Sequence, residues 1–215
     1  MKKTIKRIIK NLPLYYPIYN WFSLRKAQKD FEIWESAGKS GLPPHKAKQQ
    51  TLRKYANLYG LRILVETGTF YGDMVEVMQY DFEKIYSIEL SNELYKQAVK
   101  RFYKAKNVEI IKGDSGVELR NVLNKISEPA LFWLDGHYSA GNTAKGIKDT
   151  PILEELDCIL DAPHSNHVII IDDARLFGSN LAYPSLDELS IYIKDKRPDV
   201  EIFIEDDSIR VTPKG

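Results

Sequence analysis

The chain of 215 residues is long enough for one ordinary domain plus an arm and too short for two full domains. Hydrophobic residues at 43% and charged residues at 28% exclude disorder for the bulk of it. A formal net charge of +1 excludes the uniform basic field a general nucleic-acid binder needs, and the single cysteine, Cys158, excludes an internal disulfide and a cysteine metal cluster. A reducing, cytoplasmic setting fits this usage.

The charge is unevenly spread. Met1 to Lys29 holds Lys2, Lys3, Lys6, Arg7, Lys10, Arg25, Lys26 and Lys29 without one acid, so everything after it is net acidic. Ile5, Ile8, Ile9 and Leu12 fall at helical spacing and predict a short basic amphipathic helix, stopped by Pro13 and followed by Tyr15, Tyr16, Tyr19, Trp21 and Phe22. Residues 1–24 therefore suit either peripheral contact with an anionic membrane or docking of the aromatics on protein, the catalytic part or a second copy. The charge-free run Asn11 to Leu24 is shorter than the roughly 20 apolar residues of a membrane-spanning helix, and Lys10 interrupts any signal-peptide core. The arm is expected to be retained.

Two helices are predicted next, Arg25–Ala37 and His45–Tyr59, divided by the Gly38–Pro44 breaker. From Leu61 short apolar runs alternate with amphipathic stretches, the pattern of parallel βαβ units. The predicted strands are Arg62–Glu66, Ile85–Glu89, Val108–Ile111, Ala130–Asp135 and Val168–Asp172. Between them stand helices near Gly72–Gln79, Asn92–Tyr103, Gly116–Lys125 and Ile152–Leu160, with Ser91 and Ser115 as N-caps. After a helix near Ser185–Lys194, Val200–Glu205 and Ser208–Thr212 read as a closing antiparallel hairpin around an acidic Asp206–Asp207 turn. The expected division is a helical extension over 1–60 and an α/β domain over 61–215.

In an open α/β sheet ligands gather beyond the carboxyl ends of the strands, so polar residues there carry the functional reading. The first strand ends in Glu66-Thr67-Gly68-Thr69-Phe70-Tyr71-Gly72, and the second ends in Glu89, a distance along the chain that suits a carboxylate binding ribose hydroxyls. Gly68-x-x-x-Gly72 is not the G-x-G-x-x-G that seats a pyrophosphate, which disfavours a dinucleotide. On these residues the chain, from about Leu61 to its end, resembles the class I S-adenosylmethionine-dependent methyltransferases. The resemblance implies a Rossmann-like sheet, mostly parallel with a C-terminal antiparallel hairpin and helices on both faces. It also implies that Glu66, Gly68 and Gly72, with Thr69 of the same turn, line the methionine end of the cofactor, Glu89 its ribose, and Asp114 with Ser115 its adenine edge.

The fourth and fifth strands end in Asp135-Gly136-His137-Tyr138 and Asp172-Asp173. If neighbours, their ends lie about 4.8 Å apart and gather three carboxylates, Asp135, Asp172 and Asp173, into one volume that suits Mg²⁺ or another hard divalent cation. Alternatively one of Asp172 and Asp173 turns to the following segment, because consecutive strand residues face opposite sides. These motifs resemble the metal-dependent sugar O-methyltransferases related to macrocin O-methyltransferase, with His137 where many members carry an acid.

That resemblance implies O-methylation of a sugar or related small hydroxylated molecule, Asp135 and His137 being the catalytic residues and His137 the general base. A phenolic or lipid-linked acceptor, and a silent cofactor-binding or membrane-peripheral module, are the alternatives. No Asn/Asp-Pro-Pro-aromatic motif follows the fourth strand, which disfavours nucleic-acid methylation. The small, polar segment Gly136–Thr150 is read as a lid or a surface connection, and Tyr138, Lys145 and Arg175 as possible acceptor contacts. His45, His164 and His167 are expected at the surface or a strand edge.

Overall fold

The computed structural model describes residues 15–136, 150–163 and 166–214, those of 15–24 as backbone only. The amphipathic segment Ile5–Leu12, His137, the rest of the segment up to residue 149 and His164 lie outside the described residues. The chain divides into two compact units, Met1–Gln50 and Thr51–Gly215.

In the first unit, helix α1 (Tyr15–Ser36) begins well before the predicted Arg25. Pro17 falls in its first turn, where a helix needs no backbone donor, so it is compatible with the helix. Gly38, in the left-handed region at φ 67°, ends it, and Lys39 N–H donates to the Trp34 carbonyl at 2.8 Å. Phe31 and Trp34 bury themselves with Ala47 of α2 (His45–Tyr59), within which the boundary between the units falls. Among the described residues no helix is long and apolar enough to cross a membrane.

The second unit follows the predicted alternation: β1 (Ile63–Thr67), α3 (Asp73–Met78), β2 (Lys84–Glu89), α4 (Asn92–Arg101), β3 (Val108–Lys112), α5 (Ser115–Leu123), β4 (Leu131–Leu134), α6 (Ile152–Leu160) and β5 (Val168–Ile171). A 3₁₀ turn over Ala174–Leu176, α7 (Leu186–Lys196), β6 (Val200–Glu205) and β7 (Ser208–Pro213) complete it. The seven strands lie in the order β3-β2-β1-β4-β5-β7-β6, parallel except for β7, which runs antiparallel to both neighbours. Asp206 and Asp207 both have positive φ, as a two-residue hairpin turn requires.

Period-two alternation sends successive strand residues to opposite faces. Val65, Phe132, Leu134, Ile169 and Ile171 meet Leu119, Leu156 and Ile193 of α5, α6 and α7. Leu64, Leu131, Trp133 and Ile170 meet Leu52 of α2, Met78 of α3 and Phe102 at the end of α4. This two-sided burial explains why the parallel strands read as continuous apolar runs.

Three expectations are corrected. The N-cap of α5 is Asp114, whose Oδ1 accepts from Gly116 N–H at 3.0 Å, and Ser115 is the first helical residue. β4 and β5 stop one residue before Asp135 and Asp172, which are the first loop residues. His167 is buried: Nδ1 accepts from Ala130 N–H at 3.0 Å and the ring meets Phe132 edge-on, a packing role at the amino end of β5. Cys158 is buried too, its thiol pushed up by burial, and donates to the Gly116 carbonyl at 3.7 Å.

Trp133 is among the largest fully buried side chains of the sheet. Trp133→Ala is expected to lower stability by about 3–5 kcal/mol in urea unfolding. A loss below about 1 kcal/mol would contradict the packing described.

Candidate active site

The switch in strand order lies between β1 and β4, and the turn after β1 is built across it. Gly68 N–H and Thr69 N–H both donate to the Ile88 carbonyl, at 3.0 and 3.2 Å, which lays the turn over the end of β2. Gly68 has φ +85°, and a β-carbon on it would fall 2.6 Å from the Asp135 carbonyl oxygen. Both facts exclude a side chain there, so the glycine lets the backbone after β4 come close. Gly72, also left-handed, stands at the N-cap of α3.

Glu66 is buried at the centre of this arrangement, 2% exposed, and accepts a hydrogen bond from Ser87 Oγ, which also meets Thr69 Oγ1 at 2.6 Å. Burial pushes its carboxyl up to about 8, Ser87 pulls it down, and the charges of Asp135 and Glu89 add to the rise. At neutral pH this acid is therefore mostly protonated. Glu89 accepts from Phe70 N–H through Oε2 at 2.8 Å and from Ser91 N–H through Oε1 at 2.7 Å. Burial raises its pKa and those two bonds oppose the rise. Each oxygen keeps a second lone pair, enough to accept from a ribose hydroxyl.

Ser115 Oγ donates to Glu155 Oε1 at 2.5 Å, and a β-carbon on Gly136 would fall 3.1 Å from the same oxygen. Burial pushes Glu155 up to about 7, opposed by Ser115 and Thr67 and reinforced by Asp114 and Glu154. The hydroxyl expected at the adenine edge is thus used to hold an acid on α6, and Asp114 to cap α5.

On the other side of the switch stand Asp135, Asp172 and Asp173. Asp172 N–H donates to the Leu134 carbonyl at 3.0 Å, which joins the ends of β4 and β5. Asp173 adopts the left-handed conformation at φ 56° and turns to the following segment, where Arg175 Nη1 donates to its Oδ1 at 2.7 Å. Among the described residues no group of three His, Cys, Asp or Glu side chains stands close enough to hold an ion. The Tyr183 phenol, hydrogen-bonded to Thr150, faces the same end. Burial and the charges of Asp173, Glu155 and Asp135 push it up to about 12, which keeps it a hydrogen-bond donor.

Sequence reasoning did not single out Ser87, Glu155, Tyr183 or Asp207 as site residues. Glu155 had a signal: Ile152, Glu155, Leu156 and Ile159 share one helical face, and an acid on an apolar face marks a buried carboxyl. Ser87 and Tyr183 carry none that a single sequence exposes.

No protein-family model matches the sequence, and no curated protein does. Among solved structures the chain is similar to an O-methyltransferase from Bacillus cereus in complex with SAH, at TM-score 0.56 and 16% identity, covering 87% of this chain and 90% of that one. It is similar to the O-methyltransferase TomG from Streptomyces achromogenes, in complex with SAM, at TM-score 0.56 and 16% identity, covering 88% and 89%. A SAH-bound methyltransferase from Podospora anserina matches at TM-score 0.55 and 14% identity, covering 95% and 98%. At such identities the likeness is one of fold, and the fold is that of the class I methyltransferases.

The two raised acids have a consequence for stability. The folded state keeps protons that an ordinary carboxyl releases near 4.5, so their contribution is complete below about 4.5 and is lost as the pH rises through about 7 for Glu155 and about 8 for Glu66. Urea midpoints of the ligand-free protein are expected to fall between about pH 5 and about pH 9, and the double variant Glu66→Gln, Glu155→Gln to flatten that fall. Equal slopes in the two proteins would contradict the assignment.

Proposed function

We propose that the chain transfers a methyl group from S-adenosylmethionine to a hydroxyl of a sugar or related small molecule. The observation that carries this reading is the acid-x-Gly-x-x-x-Gly turn from Glu66 to Gly72, laid at the switch point beside Glu89 at the end of β2. The donor chemistry supports it. Glu66, Glu89, Asp114 and Asp135 bring carboxyl groups to the ends of four neighbouring strands, a set suited to a ligand with hydroxyls and positive charge and ill suited to a pyrophosphate.

In this reading the β1–α3 turn with Thr69 holds the methionine end, the free lone pairs of Glu89 the ribose, and Asp114, through the carboxylate oxygen that does not cap α5, the adenine edge beside Ser115. When bound, the cofactor supplies an electrophilic methyl on a sulfonium. The protein has then to align the acceptor oxygen and take its proton. His137 follows Asp135 and Gly136 directly, and by that position in the chain it is our candidate base, with Asp135 beside it. Tyr183 presents a phenolic donor to the same end.

Assistance by Mg²⁺, which the resemblance implies, fits the described donors poorly, because Asp173 is engaged by Arg175 and among the described residues no three such side chains stand together.

The test is methyl transfer from labelled S-adenosylmethionine by the full chain to panels of monosaccharides, catechols and polyprenyl-linked sugars. Transfer to a sugar hydroxyl is expected. His137→Ala is expected to lower kcat by about 100-fold or more and to remove the acidic limb of the pH–rate profile. Transfer confined to catechols or lipid-linked sugars would replace the acceptor class, and no transfer to any hydroxyl would sink the proposal.

A further inference from the structure

β7 pairs with β5 antiparallel, Ile171 opposite Ile209, so the Asp206–Asp207 turn of the terminal hairpin stands at the carboxyl end of β5. The Asp207 carbonyl accepts from Ala174 N–H at 2.8 Å, and Asp207 Oδ1 accepts from Arg175 N–H at 3.0 Å. Arg175 Nη1 then donates both to Asp207 Oδ2 and to Asp173 Oδ1. One guanidinium nitrogen bridges two carboxylates brought together by different strands.

Two carboxylates this close repel unless a cation lies between them, and oxygen donors of this kind are what a hard divalent ion takes. Here the cation is covalently part of the chain. A guanidinium stays charged at any physiological pH and is more weakly hydrated than an ammonium, so it is suited to a partly covered site. The side chains of Asp173 and Asp207 are 10% and 14% exposed and that of Arg175 is 44% exposed. The carboxylates of the bridge are therefore covered and the Arg175 side chain is partly open. Among the described residues Nη1 carries the hydrogen bonds to both acids, and Nε and Nη2 carry none.

We propose that Arg175 is the resident cation of the acceptor site, lodged between Asp173 and Asp207 where a divalent ion would otherwise sit and offering its Nε and Nη2 edge to an acceptor oxygen. The acceptor contact rests on the function proposed above. The occupancy of the cation position does not, and it is read without turnover.

The experiment is Mn²⁺ titration of the full chain, followed through the electron paramagnetic resonance signal of the free ion. The wild-type chain is expected to leave that signal undiminished at equimolar Mn²⁺. Arg175→Ala is expected to take up one ion per chain about tenfold or more tightly than the wild type, and adding Asp207→Asn to abolish the uptake. Stoichiometric Mn²⁺ binding by the wild-type chain would overturn the proposal. So would an Arg175→Ala protein that melts cooperatively yet gains no ion. If that variant does not fold, the wild-type titration alone decides. A chain that transfers no methyl group but behaves as expected with Mn²⁺ would remove the function proposed above and leave the cation assignment standing.

Discussion

The backbones leaving β1 and β4 run so close that the Asp135 carbonyl oxygen lies 2.6 Å from where a side chain on residue 68 would begin. Everything at the switch point depends on that approach. It requires glycine at 68 and lets Asp135 N–H donate to the Thr67 carbonyl at 3.2 Å. The turn is thereby set across the end of β2, where Phe70 N–H reaches Glu89. The hydrogen bonds that shape the turn also orient the carboxylate proposed to read a ribose.

A second constraint follows, because acidic side chains converge where parallel strands end. The protein manages the repulsion in three ways. Glu66 and Glu155 are buried deeply enough to hold protons near neutrality, each beside a hydroxyl, Ser87 and Ser115. Glu89 stays against two backbone N–H groups. Asp173 is bridged by Arg175 to Asp207. Protonation, backbone donors and a guanidinium do different chemical work, and only the last places fixed positive charge on the side of β4 and β5.

What the sequence disclosed was what is local. Gly68, Gly72 and Glu89 were legible because turn geometry and strand ends are properties of a few consecutive residues, and the strands were legible because two-sided burial makes them continuously apolar. The terminal hairpin announced itself by its acidic turn, and the structure keeps it. The second acid on Arg175 was not legible, since Asp207 reaches it across 32 positions and only the β5–β7 register brings them together. The start of α1 was obscured by Pro17, and the burial of His167 by its place at the mouth of an apolar strand. Glu155 was visible in principle, as an acid on the inward face of α6.

In the function proposed for this chain, these strand ends form a site for S-adenosylmethionine and not for a dinucleotide. Calorimetric titration of the full chain with S-adenosylmethionine and, separately, with NAD addresses it without an acceptor. One molecule of S-adenosylmethionine bound per chain, with no heat from NAD, is the expected result. Saturable binding of NAD with none of S-adenosylmethionine would contradict the account.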